Sequence, residues 1–327
     1  MAVIASAPAK IILLGEHFVI YGGPAIVTAI DRRAYVKVEL RGDNIIHIKS
    51  NNLKLAGSFE GYMFKAELGD PDEARQKLEP VKFAAEKMME ICGKKEGLNI
   101  EISSSFPSAA GLGSSAAIAS AVAAAVGHLF KANPSKEDIF RVSLEAEKLV
   151  HGNPSGVDSA ISTYGGSLLF QVDSGISRLN LEIETPLIVG YTGVERSTLV
   201  QIMKVKNFRD KYPHIFNLLL NTAKEIVQNA ISAIREGDIK TVGELMNINH
   251  ALLYGLGVSD ESLERLIIAA RKAGALGAKL TGAGGGGCIV ALSDTDMAET
   301  ILMAIHKAGG DAFIAQKTNE GVRIEQE

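Results

Sequence analysis

Cysteine is nearly missing from this chain: Cys92 and Cys288 are the only two in 327 residues. Two thiols in no C-x-x-C arrangement are too few for a disulfide framework, so a reducing, cytoplasmic setting is expected. Excess positive charge is missing too. Lys and Arg number 34 against 38 Asp and Glu, giving a net charge of −4. Without a global basic field, neither nucleic acid nor an anionic membrane is an expected partner, and any bound phosphate must be held locally. Long apolar runs are the third absence. The N-terminal stretch is broken by Pro8 and Lys10 and follows no basic segment, so it reads as a first strand and not as a signal peptide. Ala116 to Phe130 carries Ser120 and His128 and falls short of the roughly 18 to 20 apolar residues that span a bilayer, which makes it a buried helix.

What is present is an ordinary globular composition, 46% hydrophobic and 22% charged, in a chain long enough for two packed domains. Strand-like runs open it at residues 3–7, 11–14, 25–30, 34–40 and 45–49. The alternation in Tyr35-Val36-Lys37-Val38-Glu39-Leu40 marks a sheet with one wet face. Helical spacing of Val81, Ala84, Ala85 and Met88 predicts a helix over 72–92. A strand at 98–103, the alanine-rich helix, a helix over 136–150 and a strand at 167–172 complete the first half. Ser135 is the expected N-cap of the 136–150 helix, with Asp138 three residues on. The second half is helix-rich, with candidates at 197–205, 213–235, 239–253, 260–273 and 298–307, among strands at 187–191, 278–280, 288–292 and 311–316. The pattern is α+β, with a domain join expected near residue 180, giving units 1–180 and 181–327.

Four segments carry chemistry. Pro107-Ser108-Ala109-Ala110-Gly111-Leu112-Gly113-Ser114-Ser115 joins a strand to a helix. Its glycines let backbone approach a ligand, and the N–H groups at the start of the following helix favour phosphate. A Ser114 or Ser115 hydroxyl is in place to reach a phosphate-bound Mg²⁺. The Gly-Lys-Ser/Thr ending of a Walker A loop is missing. The alternative is a plain strand-to-helix turn capped by Ser114.

A second cluster, Thr281-Gly282-Ala283-Gly284-Gly285-Gly286-Gly287, satisfies G-x-G-x-x-G but leads into a strand, whereas a dinucleotide fingerprint opens a helix. It is either a loop laid against a ligand or a wide turn. Third, Glu147 on a helix is followed by His151-Gly152-Asn153-Pro154-Ser155-Gly156-Val157-Asp158, which presents Asp158 just past a tight loop. Asp158 reads equally as a helix cap or as a carboxylate at a reacting hydroxyl, and His151 as a packed loop histidine. Fourth, Lys10 lies in an apolar strand, where its charge calls for a carboxylate partner unless it snorkels from an edge. It is followed by Gly15-Glu16-His17 and Tyr21-Gly22-Gly23.

Together and in this order, these segments resemble the GHMP kinase superfamily, named for galactokinase, homoserine kinase, mevalonate kinase and phosphomevalonate kinase. Gly15-Glu16-His17, the His151 to Asp158 run and Lys279 to Cys288 look like the mevalonate kinase branch. The resemblance implies a ribosomal S5 domain 2-like N-terminal domain and a ferredoxin-like C-terminal domain with the active site between them. It also implies ATP-dependent phosphorylation of a small-molecule alcohol, mevalonate in that branch, with Mg²⁺ as cofactor and a homodimer as the assembly.

Residue by residue, it places the ATP phosphates on Pro107, Ala109, Ala110, Gly111, Leu112, Gly113, Ser114 and Ser115. Mg²⁺ falls to Ser115 and Glu147. Asp158 takes the hydroxyl proton, with Lys10 paired to it. Glu16, His17, Arg196 and Thr198 match residues at the alcohol, and Gly282, Ala283, Gly284 and Gly285 form the C-terminal glycine loop. Ala109 departs from the family loop, which usually has Gly there. Adenine contacts are expected around Ser50 to Leu55. A phosphomevalonate or sugar kinase is the alternative within the family, although no cluster of Lys or Arg near Glu16 and His17 is present to hold a second phosphate. A catalytically silent ATP-binding regulator is the alternative outside it, opposed by the presence of Lys10, Glu147 and Asp158.

Overall fold

The computed structural model describes residues 2–107, 110–151, 154–180, 185–194 and 197–326, excluding the side chains of Val150 and His151. Within these residues the first half builds β1 (Ala2–Leu14), β2 (Ala25–Leu40), β3 (Ile46–Ser50), β4 (Leu55–Glu60), β5 (Met63–Leu68), α1 (Pro71–Ile91) and β6 (Leu98–Ser104). It continues with α2 (Ser114–Leu129), α3 (Lys136–His151), α4 (Val157–Tyr164), β7 (Ser167–Gln171) and β8 (Gly175–Leu179). The second half contributes β9 (Leu187–Tyr191), α5 (Thr198–Lys211), α6 (Pro213–Glu236), α7 (Ile239–Gly255) and α8 (Glu261–Lys272). It closes with β10 (Gly277–Thr281), β11 (Cys288–Leu292), α9 (Ala298–Lys307), β12 (Asp311–Ala315) and β13 (Arg323–Gln326).

A large sheet runs β13-β1-β2-β6-β3-β4-β5, with β7 and β8 branching from β2, and a smaller antiparallel sheet runs β10-β11-β9-β12. The two strand runs expected in 3–14 are one long strand. Pro8, which cannot donate to the ladder, is accommodated where the β1–β2 register shifts between Pro8 and Ala9. The runs expected in 25–40 likewise form the single strand β2. β4 and β5 escaped the sequence reading because they form a short hairpin at the sheet edge, with β5 largely exposed and so without a clean alternation. β13 escaped it because Arg-Ile-Glu-Gln carries no apolar run.

α2 lies buried against β1 and β2, almost every position being Ala, Val or Ser. Small side chains let its backbone sit close to the sheet, and its start is thereby held at a fixed depth beside the middle of β1. Sheet membership changes between Leu179 and Leu187, but two segments cross over. β13 returns to the edge of β1, where the Arg33 guanidinium donates to Ser6 Oγ at 2.6 Å and to the carbonyl of Gly321 at 2.6 Å. Phe18 is fully buried in the apolar core of the second half, 6.1 Å from Phe216 between ring centres. No described helix is long and apolar enough to cross a membrane.

Candidate active site

Lys10 is buried in β1, and its Nζ lies 3.1 Å from Asp158 Oδ1. The carboxylate partner that an apolar strand demands is therefore supplied from 148 residues away, by the first turn of α4. The N-cap of α4 is Gly156, at φ 80°, so Asp158 is not the cap; about a third of its side chain is open to solvent. Lys10 is turned inward and Asp158 outward, which leaves one face of the pair accessible.

The glycine-rich loop meets the same lysine. The Lys10 amide donates to the Leu112 carbonyl at 2.9 Å, and Gly113 sits directly over the lysine stem. A Cβ at Gly113 would fall 2.8 Å from Lys10 Cγ, and its φ of 76° is one that L side chains rarely adopt. Gly113 is also the N-cap of α2, so Ser114 is not a cap and both serine hydroxyls belong to the first turn. In that turn the backbone N–H groups of Ser114, Ser115 and Ala116 precede the helical hydrogen-bonding pattern, which gives this end of the helix the donors and dipole that favour an anion. Pro107, Ala110, Gly111 and Leu112 complete the described part of the loop, and Ala109 lies outside the described residues.

Glu147 is buried on α3 and accepts a hydrogen bond from Ser159 Oγ at 2.9 Å. Ser143, one turn earlier on α3, reaches Ser159 Oγ at 3.0 Å and the Ala116 carbonyl of α2 at 3.2 Å, so α2, α3 and α4 are tied together at this point. Burial, and then the charge of Asp158, push the Glu147 carboxyl up to about 7, against the pull of Ser159 and Lys10. The site is thus short of positive charge. A hard divalent cation fits that deficit and the oxygen donors of Glu147 and Ser115. Among the described residues no group of three His, Cys, Asp or Glu forms a metal cage. Mg²⁺ commonly takes one or two protein ligands and completes its shell with phosphate oxygens and water.

The turn after β1 faces the second half of the molecule. Glu16 is 1% exposed; Lys279 Nζ pairs with its Oε1, and Asn249 Nδ2 donates to its Oε2 at 3.2 Å. Burial raises the Glu16 carboxyl and lowers the Lys279 ammonium, each opposed by the other's charge. His17 Nε2 lies 2.8 Å from the Ala283 carbonyl, which can only accept, so Nε2 carries the hydrogen. Its backbone is at φ 59° and ψ −47°, with the Phe18 amide 2.6 Å from the Glu16 carbonyl. This is the rare, strained form of the γ-turn, costing on the order of 1–3 kcal/mol for a residue with a side chain.

The C-terminal glycine loop is fastened to β1 by Thr281, whose hydroxyl bridges the amide and carbonyl of Ile12 at 3.0 Å each. Gly282, Gly284 and Gly285 have φ of 84°, 76° and 70°. Glycine is also needed for space: a Cβ on Gly284 would fall 2.2 Å from the Val258 carbonyl, and one on Gly285 would meet the Gln201 side chain. Gly287 accepts from Thr192 Oγ1 at 3.0 Å and donates to the Val194 carbonyl at 3.0 Å, so the chain leading to Thr198 is tied to this loop. Thr198 itself is exposed at the start of α5. Arg196 lies outside the described residues. Asn52, in the turn expected near adenine, exchanges two hydrogen bonds with the backbone of Ser104, at 3.1 Å and 2.7 Å, just ahead of the glycine-rich loop.

Sequence reasoning gave no role to Lys279, Asn249, Ser143, Ser159 or Gln201. Lys279 did carry a signal: like Lys10, it is a charge in an otherwise apolar strand. The serines and Asn249 carried none, being ordinary helix residues in a one-dimensional reading.

Comparison with known proteins gives the family. Residues 79–166 match the GHMP kinases N terminal domain and residues 230–311 the GHMP kinases C terminal domain. The chain belongs to the GHMP kinases. Mevalonate kinases are among its full-length relatives. The mevalonate kinase of Thermococcus sibiricus is 42% identical over 99% of each chain, and that of Pyrococcus abyssi is 41% identical over 99% of this chain and 98% of its own. The solved structure of L. major mevalonate kinase in complex with R-mevalonate superposes with a TM-score of 0.83 at 26% identity, over 97% of this chain and 96% of that one.

Proposed function

We infer that this chain is a mevalonate kinase, transferring the γ-phosphoryl group of ATP to the 5-hydroxyl of mevalonate. The reading rests on the Lys10–Asp158 pair, placed between the start of α2 and the buried Glu147. Phosphoryl transfer to an alcohol needs an oriented hydroxyl, a cradle for the phosphates and positive charge for the transition state, and it asks for little covalent chemistry from the protein. The open face of Asp158 accepts and aligns the hydroxyl proton. Lys10 balances the charge spreading over the moving phosphoryl group. The N–H groups of α2 and its loop hold the phosphates. Ser115 and Glu147 would hold Mg²⁺, which when bound neutralises phosphate charge.

His17, Arg196 and Thr198 are assigned to the alcohol, the surface between 16–18 and the C-terminal glycine loop being its expected seat. The domain join is placed near residue 180, with β13 and the 16–18 turn as crossing segments. A homodimer in the cytoplasm is the expected state. Substituting Asp158→Asn tests the reading: turnover is expected to collapse while ATP still binds, and a variant within about tenfold of wild type would remove the role assigned to Asp158.

A further inference from the structure

The turn after β1 is covalently part of the first half but is gripped by the second at three successive residues. Glu16 is held by Lys279 of β10 and Asn249 of α7, His17 by the Ala283 carbonyl, and Phe18 by the core around Phe216. Both carboxylate oxygens of Glu16 are occupied inside the protein, and neither Glu16 nor Lys279 reaches solvent. Lys279 spends a second hydrogen on the Leu280 carbonyl at 2.6 Å, so it too is fixed. With both oxygens paired and the carboxylate shut off from solvent, a substrate hydroxyl could reach it only by opening the clamp, at the cost of a buried ammonium short of its partner. A strained backbone such as that of His17 persists only where its surroundings over-determine it, and the residue just before it is the one held from two sides.

We propose that Glu16 does not touch the alcohol substrate but, clamped by Lys279 and Asn249, is the positioning residue that holds His17 in its strained turn and so sets the alcohol site against the Lys10–Asp158 pair. This revises the role that the family resemblance gave Glu16 and rests on the kinase reading above. The clamp joins residues 263 positions apart in sequence and spans the two halves, so the seat for the alcohol forms only when the halves are docked.

The test combines kinetics with a direct view of His17. Lys279→Met is expected to raise KM for mevalonate roughly 10- to 100-fold, with KM for ATP within about threefold. Glu16→Gln, which keeps the shape and one acceptor, is expected to have a smaller effect of the same kind. The double variant should be no worse than Lys279→Met alone, because both substitutions break one unit. Should Lys279→Met misfold, Asn249→Ala removes only the uncharged bond and is expected to raise the same KM severalfold with ATP unaffected.

The His17 imidazole ¹⁵N resonances, assigned by their loss in His17→Gln, need no substrate. They are expected to shift in Lys279→Met and in Glu16→Gln. Unmoved resonances with an unchanged KM, or effects of Glu16→Gln and Lys279→Met that multiply in the double variant, would overturn the positioning role. Resonances that shift in the variants, with a wild-type chain that does not turn over mevalonate, would retain the clamp and count against the assigned substrate instead.

Discussion

Lys10 Nζ and Asp158 Oδ1 stand 3.1 Å apart, with the lysine buried in β1 and the aspartate partly open in the first turn of α4. Substituting Asp158→Asn keeps the shape and removes the negative charge. kcat is expected to fall by about 10²- to 10⁴-fold, the usual reach of a positioned acid or base, with the dissociation constant for ATP changed less than about threefold. Steady-state kinetics beside nucleotide titration measure both.

Gly113 is where the glycine-rich loop before α2 touches that pair. Gly113→Ala places a methyl 2.8 Å from Lys10 Cγ in a backbone that L residues adopt at a cost of about 1–2 kcal/mol. The loop and the lysine cannot both stay put. A drop of about 10- to 100-fold in kcat/KM for ATP is expected, with the thermal midpoint lowered by a few degrees. A fully active Gly113→Ala enzyme would detach the loop from catalysis.

Glu147 ties proton uptake to stability. Its folded carboxyl is pushed up to about 7 from 4.5. Between those values the folded state binds more protons than the unfolded one, so without metal or nucleotide the chain loses stability as pH rises from about 4.5 through 7. Most of the loss is complete above the folded value. In EDTA, the thermal midpoint of wild type relative to Glu147→Gln is expected to fall between pH 5 and pH 8; a constant difference would contradict the burial argument. The same substitution is expected to raise the Mg²⁺ concentration needed for half-maximal activity, since a neutral amide attracts a hard cation less than a carboxylate.

The legible parts of this molecule were those in which a residue contradicted its own neighbourhood. Lys10, charged within Ala-Pro-Ala-Lys-Ile-Ile, demanded an acid partner, and the turn residues before Asp158 showed where one was presented. Glycines at the start of α2 and before β11 marked backbone that must come close to something. What stayed hidden was pairing at a distance. Nothing near Glu16 names Lys279, and as a carboxylate beside a substrate-like motif it reads as a contact residue until its two oxygens are seen to be taken. The Ser143–Ser159–Glu147 chain is equally invisible, because serines in helices usually do no more than face solvent or bond their own backbone. Hydrophobic periodicity found the long helices but not β13, a four-residue strand held by its ladder to β1 and by Ser6 and Arg33 at Glu325, with only Ile324 packed on the core.

The most direct test of the central claim is ADP release with Mg²⁺-ATP, measured in parallel against mevalonate, phosphomevalonate, galactose and homoserine, with wild type and Asp158→Asn side by side. Turnover by wild type with mevalonate alone, lost in the variant, is the expected result. Turnover with a different alcohol would contradict the assigned substrate while keeping the Lys10–Asp158 chemistry, and silence with all four would contradict the kinase reading itself.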